Sequence, residues 1–481
     1  MTPADSGAAA RLDRLPPSPW LRRVMAVLFL SWLIESYDIG LTGAVLPSLT
    51  HLYHLSTGMK SLVSISANIG IVAGIVPAGR MADRFGRKRV LVWGTVGYAV
   101  LTALAGLAPG IGVFIILRVA GGLAMGAVFP LPYVYGSELC PPSQRGRFTG
   151  IADAFLSVGY FLSPLLAVGL IPSTADTIGW RIMFLLGGLP LGFAVVAWKL
   201  LPESPRWYES QGHIIEASAV LDDIEARVRA DLDDPRSLPP PRPAQAEWAT
   251  ADGAPDENHD RPARPGLRAV LSPRYLRRSL MLWITFGGTF FLFYSVQTFM
   301  PTVVHDMGFT LTSSFAFTAV IVAVSIPGKL LEAWVVERWG RKPVIVTFTV
   351  VAAGAAAAFG FVRGAVPVLI LGCLISFFGI GVDPAVKVYT TESYPTEMRA
   401  VGTSATEGFG RLLSGVIGPS LVPPLLDAAG VGSVFLLVAG AALVAVVAVL
   451  VLGSETRGRT LEEINQGAEA SRSISGRAGD Q

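Results

Sequence analysis

The chain has 481 residues, of which 52% are hydrophobic and 15% are charged. A water-soluble protein of this length needs a more highly charged surface, so the composition indicates a polytopic membrane protein. The formal net charge of +3 does not suggest a nucleic-acid partner, and Cys140 and Cys373 form neither a disulfide framework nor a metal motif. No cofactor and no metal site are expected.

Twelve apolar segments are long enough to cross a bilayer as helices. A hydrocarbon core of about 30 Å requires about 20 helical residues. The expected fold class is therefore an all-α membrane protein with twelve transmembrane helices. The segments are 23–49, 58–81, 90–108, 111–135, 148–171, 181–201, 277–300, 313–336, 343–362, 365–391, 402–426 and 431–453.

The connections between these segments alternate in charge. Lys and Arg cluster in every second connection, from Arg22 and Arg23 near the start to Arg457 and Arg459 near the end. Because positive residues are retained in the cytoplasm, the pattern predicts a multi-pass protein of the inner or plasma membrane with both termini cytoplasmic. The long connection 202–276 begins with a predicted amphipathic helix, 211–231, and continues as a Pro-rich, acidic stretch that we expect to be disordered.

An internal repeat relates the two halves of the chain. At a constant offset of 254 residues, Arg84, Gly86, Arg87, Lys88, Pro130, Tyr135, Glu138, Pro141 and Arg145 recur as Arg338, Gly340, Arg341, Lys342, Pro384, Tyr389, Glu392, Pro395 and Arg399. Six helices per half preserve the orientation, so the halves are predicted to be parallel repeats with a solute site between them near the midplane. The predicted domains are 1–208 and 273–457, six-helix bundles, with a cytoplasmic loop, 209–272, and a tail, 458–481.

Several motifs resemble those of the major facilitator superfamily, and more narrowly its sugar-porter-like branch. They are the loop Gly79–Lys88, Arg118 with Gly122 and Gly126, the paired Glu138–Gly146 and Glu392–Arg399 signatures, Pro202–Arg206, and Glu455–Arg459. The resemblance implies a secondary active transporter that works by alternating access, functions as a monomer and takes a small-molecule substrate and protons as partners in the lipid bilayer. The sequence has no nucleotide loop or nucleophile elbow to suggest an enzyme.

Departures from the sugar-porter pattern bear on the cargo. Phe293–Phe299 replaces the usual Gln-Gln-x-x-Gly-x-Asn run, which argues against a hexose. The stretch Glu35–Asp38 is similar to the Asp-Gly-x-Asp pattern of proton-coupled aromatic-acid symporters, and Gly408–Arg411 is closer to organic-acid carriers. The expected function is proton-coupled symport of a small organic acid or related metabolite. The alternatives are a proton-driven drug or metabolite efflux antiporter and a sugar transporter.

Charged residues inside the first and fourth predicted spans suggest proton coupling. Glu35 and Asp38 share one helix face, and Asp38 lies at a depth compatible with Arg118. An intramembrane acid is costly to bury and needs a partner or a purpose. A nearby Arg118 favours the ionised carboxylate, whereas separation favours the protonated one, so proton uptake would follow conformation. The alternative is a static ion pair that only holds two helices together.

The charges at the inner helix ends suggest a gate that stabilises the outward-facing state. Ion pairs between the bundles would form there only when the inner side is closed. The plain alternative, that these residues only set topology, explains the arginines but not the matched acids. The proposed gating residues are Asp83, Arg84, Arg87, Glu138, Arg145, Glu203, Glu337, Arg338, Arg341, Glu392, Arg399 and Glu455.

The predicted substrate contacts lie in the second half, with one exception. Arg411 and Lys387 are intramembrane cations that would bind a substrate carboxylate, Arg411 through two hydrogen bonds. The alternative is that each only neutralises an acid one turn earlier, Glu407 or Asp383. Three mid-helix polar residues are candidates by position, with helix packing as the alternative, namely Tyr160, Tyr294 and Gln297.

Overall fold

The computed structural model describes residues 7–140, 142–174, 177–232, 238, 267–395 and 398–457, and all regular structure within these ranges is helical. The helices are α1 (Ala8–Asp13), α2 (Pro19–Tyr53), α3 (Thr57–Phe85), α4 (Arg87–Gly106), α5 (Ile111–Val128), α6 (Leu131–Leu139), α7 (Pro142–Leu170), α8 (Gly179–Leu186), α9 (Pro190–Leu200), α10 (Pro205–Ser210), α11 (Ile214–Ala230), α12 (Leu267–Val270), α13 (Leu276–Asp306), α14 (Leu311–Ala323), α15 (Ser325–Trp339), α16 (Arg341–Phe359), α17 (Ala365–Leu374), the π-helix π1 (Ile375–Ile380), α18 (Asp383–Ser393), α19 (Arg399–Arg411), the π-helix π2 (Leu412–Ile417) and α20 (Gly418–Leu452).

Eleven helical stretches among the described residues are long and apolar enough to cross a membrane. The last of them, Val401–Leu452, has 52 residues. At 1.5 Å per residue it would extend about 78 Å, enough for two crossings of a hydrocarbon core of about 30 Å. Its backbone breaks at Gly430, where φ is 75° and ψ is −176°. This stretch therefore contains two spans, and the predicted set of twelve is confirmed.

Large apolar side chains cover much of the helix surface. Trp93, Ile116 and Val451 are each about two thirds exposed, at 65%, 67% and 66%. A continuous apolar surface of this kind is unfavourable in water and favourable against lipid tails. Together with the spans, it identifies the chain as a multi-pass membrane protein.

The contacts divide the chain into two compact units. Unit 1 comprises Met1–Asp38, Gly70–Gly159 and Phe184–Ala263, and unit 2 comprises Ile39–Ile69, Tyr160–Met183 and Arg264–Gln481. In unit 1, α4 packs on α5 and α9; in unit 2, α13 packs on α19 and α20. The predicted domains follow the sequence repeat instead, and they stay a prediction.

Within unit 1, small residues allow α3 and α5 to approach closely. A Cβ on Gly74 would lie 2.2 Å from the carbonyl oxygen of Leu123, and one on Gly126 would lie 2.3 Å from that of Ile71. Larger residues at these two positions would force the helices apart. Close backbone approach is a common means of packing membrane helices, because lipid tails are as apolar as Leu and do not drive the helices together.

A layer of short helices in unit 1 holds the N-terminal segment. The predicted amphipathic helix 211–231 is present as α11, while the acidic Pro-rich stretch after it lies almost entirely outside the described residues. Arg11 Nε and Arg14 Nη2 donate to the Glu225 carboxylate of α11 at 2.9 Å and 2.6 Å. Burial alone would raise the pKa of Glu225, but these two hydrogen bonds and charges outweigh it and lower the pKa below its ordinary value of 4.5.

Glu225→Gln is expected to release the N-terminal helix α1. Breaking a buried ion pair costs about 3–5 kcal/mol, and we expect about 3 because Arg11 keeps Asp222 as a partner. The wild-type contact should also weaken with acid. The depressed pKa means that its stabilisation is present above pH 4.5 and is lost as the pH falls through the folded-state pKa.

Limited trypsin digestion measures this release as faster cleavage at the N-terminal arginines. Asp222→Asn is the matched control, because the Asp222 side chain is 71% exposed and its pair with Arg11 contributes little. Equal digestion of wild type and Glu225→Gln would show that the cluster does not hold α1.

Candidate functional site

A buried ion pair lies at the centre of unit 1. Asp38 on α2 and Arg118 on α5 are 4% and 1% exposed. Arg118 Nη1 donates to both carboxylate oxygens of Asp38, at 3.1 Å and 3.0 Å, and its Nη2 donates to the Asp38 carbonyl oxygen at 3.3 Å. Thr102 on α4 donates its hydroxyl to the same carboxylate at 2.8 Å. The contact suggested by sequence is present, with Thr102 as a third member that sequence reasoning missed.

Aromatic rings and a second acid surround this pair. The Arg118 guanidinium carbon lies 5.2 Å from the centroid of the Phe184 ring, within the range of a cation–π interaction. Phe114 packs edge-on against Phe184 at 5.1 Å. Glu35 is fully buried one turn before Asp38 and accepts a hydrogen bond from the Ser31 hydroxyl at 2.8 Å. In this apolar surrounding an unmatched charge is costly, so the Asp38 carboxylate and the Arg118 guanidinium stabilise each other.

A second polar centre lies in unit 2, around Arg411 at the end of α19. Arg411 is 4% exposed. Its Nη2 donates to Glu407 Oε1 at 3.0 Å, and its Nη1 donates to the Tyr294 hydroxyl of α13 at 3.1 Å. The intrahelical pair with Glu407 suggested by sequence is present. Arg411 also contacts a second helix through Tyr294.

The other predicted substrate contacts of α13 and α7 meet near this centre. Gln297, one turn after Tyr294, donates from Nε2 to the Tyr160 carbonyl oxygen at 3.3 Å. The Tyr160 ring packs edge-on against Phe293, with centroids 4.7 Å apart. The structure therefore brings together Arg411, Tyr294, Gln297 and Tyr160, and it encloses them in aromatic side chains.

Lys387 lies beside this centre, in a charged cluster of unit 2 whose Asp383 and Lys387 act electrostatically on Tyr160. Its ammonium is 3.1 Å from Asp383 Oδ2, as the intrahelical spacing suggested. The same carboxylate oxygen is 3.5 Å from the ammonium of Lys329 on α15, a buried residue that sequence reasoning missed. The signal was available, since Lys329 and Glu332 are ionisable residues inside the predicted span 313–336. Lys387 and Lys329 therefore share the Asp383 carboxylate, and the substrate-binding role of Lys387 stays a prediction.

The charged residues at the predicted inner end of the first repeat form one local network. Gly86 adopts φ 96°, which favours glycine, and directly precedes α4 as its N-cap. The Glu203 carboxylate accepts from the backbone N–H groups of Arg87 and Lys88 at 2.8 Å and 3.0 Å, as anions do at helix N-termini. The Arg87 side chain pairs with Asp83 at 2.8 Å and Glu138 at 3.3 Å.

The second repeat builds the same network. Gly340 has φ 97°, and a Cβ there would lie 2.8 Å from the Glu455 carboxylate. Glu455 accepts from the backbone N–H groups of Arg341 and Lys342 at 3.0 Å and 2.9 Å. The Arg341 side chain pairs with Glu392 at 3.0 Å and with Glu337 at 3.3 Å. The equivalence predicted from the sequence repeat thus extends to individual hydrogen bonds.

The remaining predicted gating residues are placed as follows. Arg84 lies over Phe85, and Arg338 over Trp334 at 3.6 Å from the ring centroid to the guanidinium carbon. Arg399 is the first residue of α19. The side chain of Arg145 is not among those that the structure describes. The networks around Arg87 and Arg341 are each built within one repeat. The gating role assigned to these twelve residues stays a prediction.

Twelve membrane spans in two sequence repeats, with charged centres buried inside the spans, define the class of secondary transporters. A comparison with family models agrees, since residues 24–468 match the model described as sugar (and other) transporter. The chain belongs to this family, within the major facilitator superfamily.

Two relatives and one solved structure illustrate the resemblance. A niacin transporter of Acinetobacter baylyi is 30% identical over 95% of this chain and 99% of its own length. A gallate transporter of Pseudomonas putida is 26% identical, with 88% and 89% covered. The inward open xylose transporter XylE from E. coli has a TM-score of 0.71 and 19% identity, with 93% of this chain and 99% of XylE covered, which shows a common fold.

Proposed function

We propose that this protein is a proton-coupled symporter of small organic acids, and that aromatic carboxylates are its substrates. The observation that carries the proposal is the buried Asp38–Arg118 pair, a proton acceptor held by a fixed positive charge inside the spans. The carboxylate-bearing substrates named for the niacin and gallate transporters support the choice of cargo.

Proton coupling follows from the donors around Asp38. Arg118 and Thr102 donate to the Asp38 carboxylate and so stabilise its negative charge. A movement of α5 relative to α2 that withdraws Arg118 leaves a charge in an apolar surrounding, which favours protonation. The conformational equilibrium and proton binding to Asp38 are then coupled. Glu35 lies one helical turn away and provides a second acid on the same helix face.

Substrate binding is assigned to the Arg411 centre. Arg411 is one of the buried cations of unit 2, and its planar guanidinium can hold a carboxylate through two parallel hydrogen bonds. Tyr294 and Glu407 fix its orientation before the substrate arrives. Tyr160, Phe293 and Tyr294 supply aromatic faces for a ring. Lys387 is a weaker candidate because Asp383 already neutralises it.

The remaining assignments concern topology and gating. From the alternating charge of the connections, we propose a location in the cytoplasmic membrane with both termini inside. We also propose a functional monomer, since both polar centres are built within a single chain. The networks around Arg87 and Arg341 have the same geometry, which supports a role in gating. Each network positions one arginine and its acidic partners at the end of a helix.

Charge reversal at Glu392, as Glu392→Lys, is expected to bias the transporter towards facing inward. It breaks the contact with Arg341, which lies within one repeat, and it removes an acid that we propose to engage the other repeat only when the inner side is closed. A loss of stabilisation confined to that closed state shifts the population to the other state. Each such partly exposed pair contributes about 0–1 kcal/mol, so we expect a shift of a few-fold. Cysteine labelling from each side of the membrane measures it. If cysteines are labelled from the outer side equally in Glu392→Lys and wild type, Glu392 has no gating role and contributes only to membrane topology.

Counterflow in liposomes tests the direction of transport. Protein that exchanges external labelled benzoate for internal unlabelled benzoate, and accumulates it with an inward proton gradient, is a symporter. A drug or metabolite efflux antiporter, which the same acid–arginine pair could operate, would instead expel solute against that gradient. Ligand-dependent thermal stabilisation of the purified protein identifies the substrate class beforehand, because a ligand that binds only the folded state raises apparent stability.

A further inference from the structure

Near Tyr294, unit 2 holds a largely buried carboxamide with unused hydrogen-bonding groups. Asn68 on α3 is 7% exposed, and its side chain makes no hydrogen bond within the described part of the chain. A polar group buried in this way costs free energy unless it finds a partner. Neither the candidate site described above nor the family comparisons assign it a role.

A second carboxamide in the same unit is only half used. Gln297 donates from Nε2 to the Tyr160 carbonyl oxygen, but its Oε1 is buried and has no hydrogen-bond partner among the described residues. Gly40 of α2 makes room for this side chain, since a Cβ there would lie 2.7 Å from Gln297 Nε2. The unused acceptor lies one helical turn from Tyr294, on the same face of α13.

The π-helix π2 joins Asn68 to the Arg411 centre. It follows Arg411 directly, and π-helical turns within helices occur frequently at functional sites. Its residue Gly415 lies between the two groups, because a Cβ there would be 3.2 Å from Asn68 Cγ and 3.3 Å from Tyr294 Cε2. The absent side chain leaves Asn68 adjacent to the tyrosine that binds Arg411.

We propose that Asn68 and Gln297 recognise polar ring atoms of an aromatic carboxylate whose carboxylate group binds Arg411. The Asn68 amide donates to a ring nitrogen, and Gln297 Oε1 accepts from a ring hydroxyl. A site of this kind rejects an analogue that lacks the polar atom, because its buried groups then stay unpaired. The inference rests on the proposed function and narrows its substrate class to heteroaromatic and hydroxyaromatic acids.

Binding of three acids to the purified full-length protein tests it by isothermal titration. Benzoate has the carboxylate alone, pyridine-3-carboxylate adds a ring nitrogen, and 4-hydroxybenzoate adds a ring hydroxyl. Asn68→Leu should weaken pyridine-3-carboxylate about tenfold and leave benzoate within about twofold, as expected for one lost hydrogen bond. Asn68→Ala should act in the same direction, and Gln297→Met should weaken 4-hydroxybenzoate more than it weakens benzoate.

Ser66→Ala is the matched control on α3. Ser66 is buried two residues before Asn68, on the opposite side of the helix, and its hydroxyl is satisfied by the Val63 carbonyl oxygen. If wild type binds benzoate and Arg411→Gln does not, the result supports the proposed function independently of ring recognition. If wild type binds benzoate but the Asn68 and Gln297 variants lose all three acids equally, or none, ring recognition is overturned alone. If wild type binds none of the acids, the proposed function and this inference both fall.

Discussion

Asp38→Asn is expected to abolish proton-driven accumulation while solute exchange continues. Asn keeps the size of Asp38 and can accept hydrogen bonds from Arg118 and Thr102, but it cannot take up and release a proton. For an electroneutral cycle of one proton per carboxylate, one pH unit supplies about 1.4 kcal/mol, or up to about tenfold accumulation. The variant should lose all of the protein-dependent part, so that accumulation falls to the level of protein-free liposomes.

The measurement is uptake into proteoliposomes with an imposed pH gradient, beside counterflow without one. Asp153→Asn is the matched control, since Asp153 is another buried acid of unit 1, which accepts from the Tyr133 hydroxyl at 2.9 Å. It should retain accumulation. Gradient-driven accumulation at the wild-type level in Asp38→Asn would reduce Asp38–Arg118 to a static ion pair.

Arg411→Lys is expected to reduce transport of an organic anion by about 10- to 100-fold, with little effect on a neutral ligand. A hydrogen bond to a charged group contributes about 1.5–3 kcal/mol, and Lys offers one point charge where Arg offers a fork. The variant should also lose the contact with Tyr294, because Arg411 reaches Glu407 and Tyr294 with different nitrogens.

A double-mutant cycle separates substrate binding from charge neutralisation. If Arg411 only neutralises Glu407, then Glu407→Gln with Arg411→Gln should restore transport that each single change removes. If Arg411 binds the substrate carboxylate, the double variant stays inactive towards anions, because it lacks the guanidinium just as the Arg411→Gln single variant does. Mutual rescue would therefore leave Arg411 with a structural role only.

The sequence was sufficient for most of the fold because spans and repeats are long-range patterns. Apolar length predicted the twelve crossings, including the two that run together as Val401–Leu452 and separate only at the non-helical Gly430. The depth of charged residues along their helices predicted the contact between Asp38 and Arg118, since few partners exist for an acid inside a bilayer.

Other features depend on packing that no local pattern encodes. Thr102 is one of many hydroxyls in apolar helices, and only the approach of α4 to α2 makes it a donor to Asp38. Asn68 lies in a helix whose partners become evident only through Gly415 and π2. Lys329 is different, because an ionisable residue inside a predicted apolar span could be recognised from the sequence alone. The two inner networks illustrate the same limit, since the sequence paired the residues but not the backbone N–H groups that bind Glu203 and Glu455.

The most direct test of the central claim is accumulation of labelled aromatic acid by wild-type protein in liposomes with an alkaline interior. Protein-free liposomes correct for passive entry of the neutral acid, and Asp38→Asn liposomes test the proposed coupling residue. Proton-coupled symport predicts accumulation above the protein-free level that rises with the pH gradient, collapses with a protonophore and is absent in Asp38→Asn. Equilibration without accumulation, or solute leaving against the inward proton gradient, would contradict the assignment as a proton-coupled organic-acid symporter.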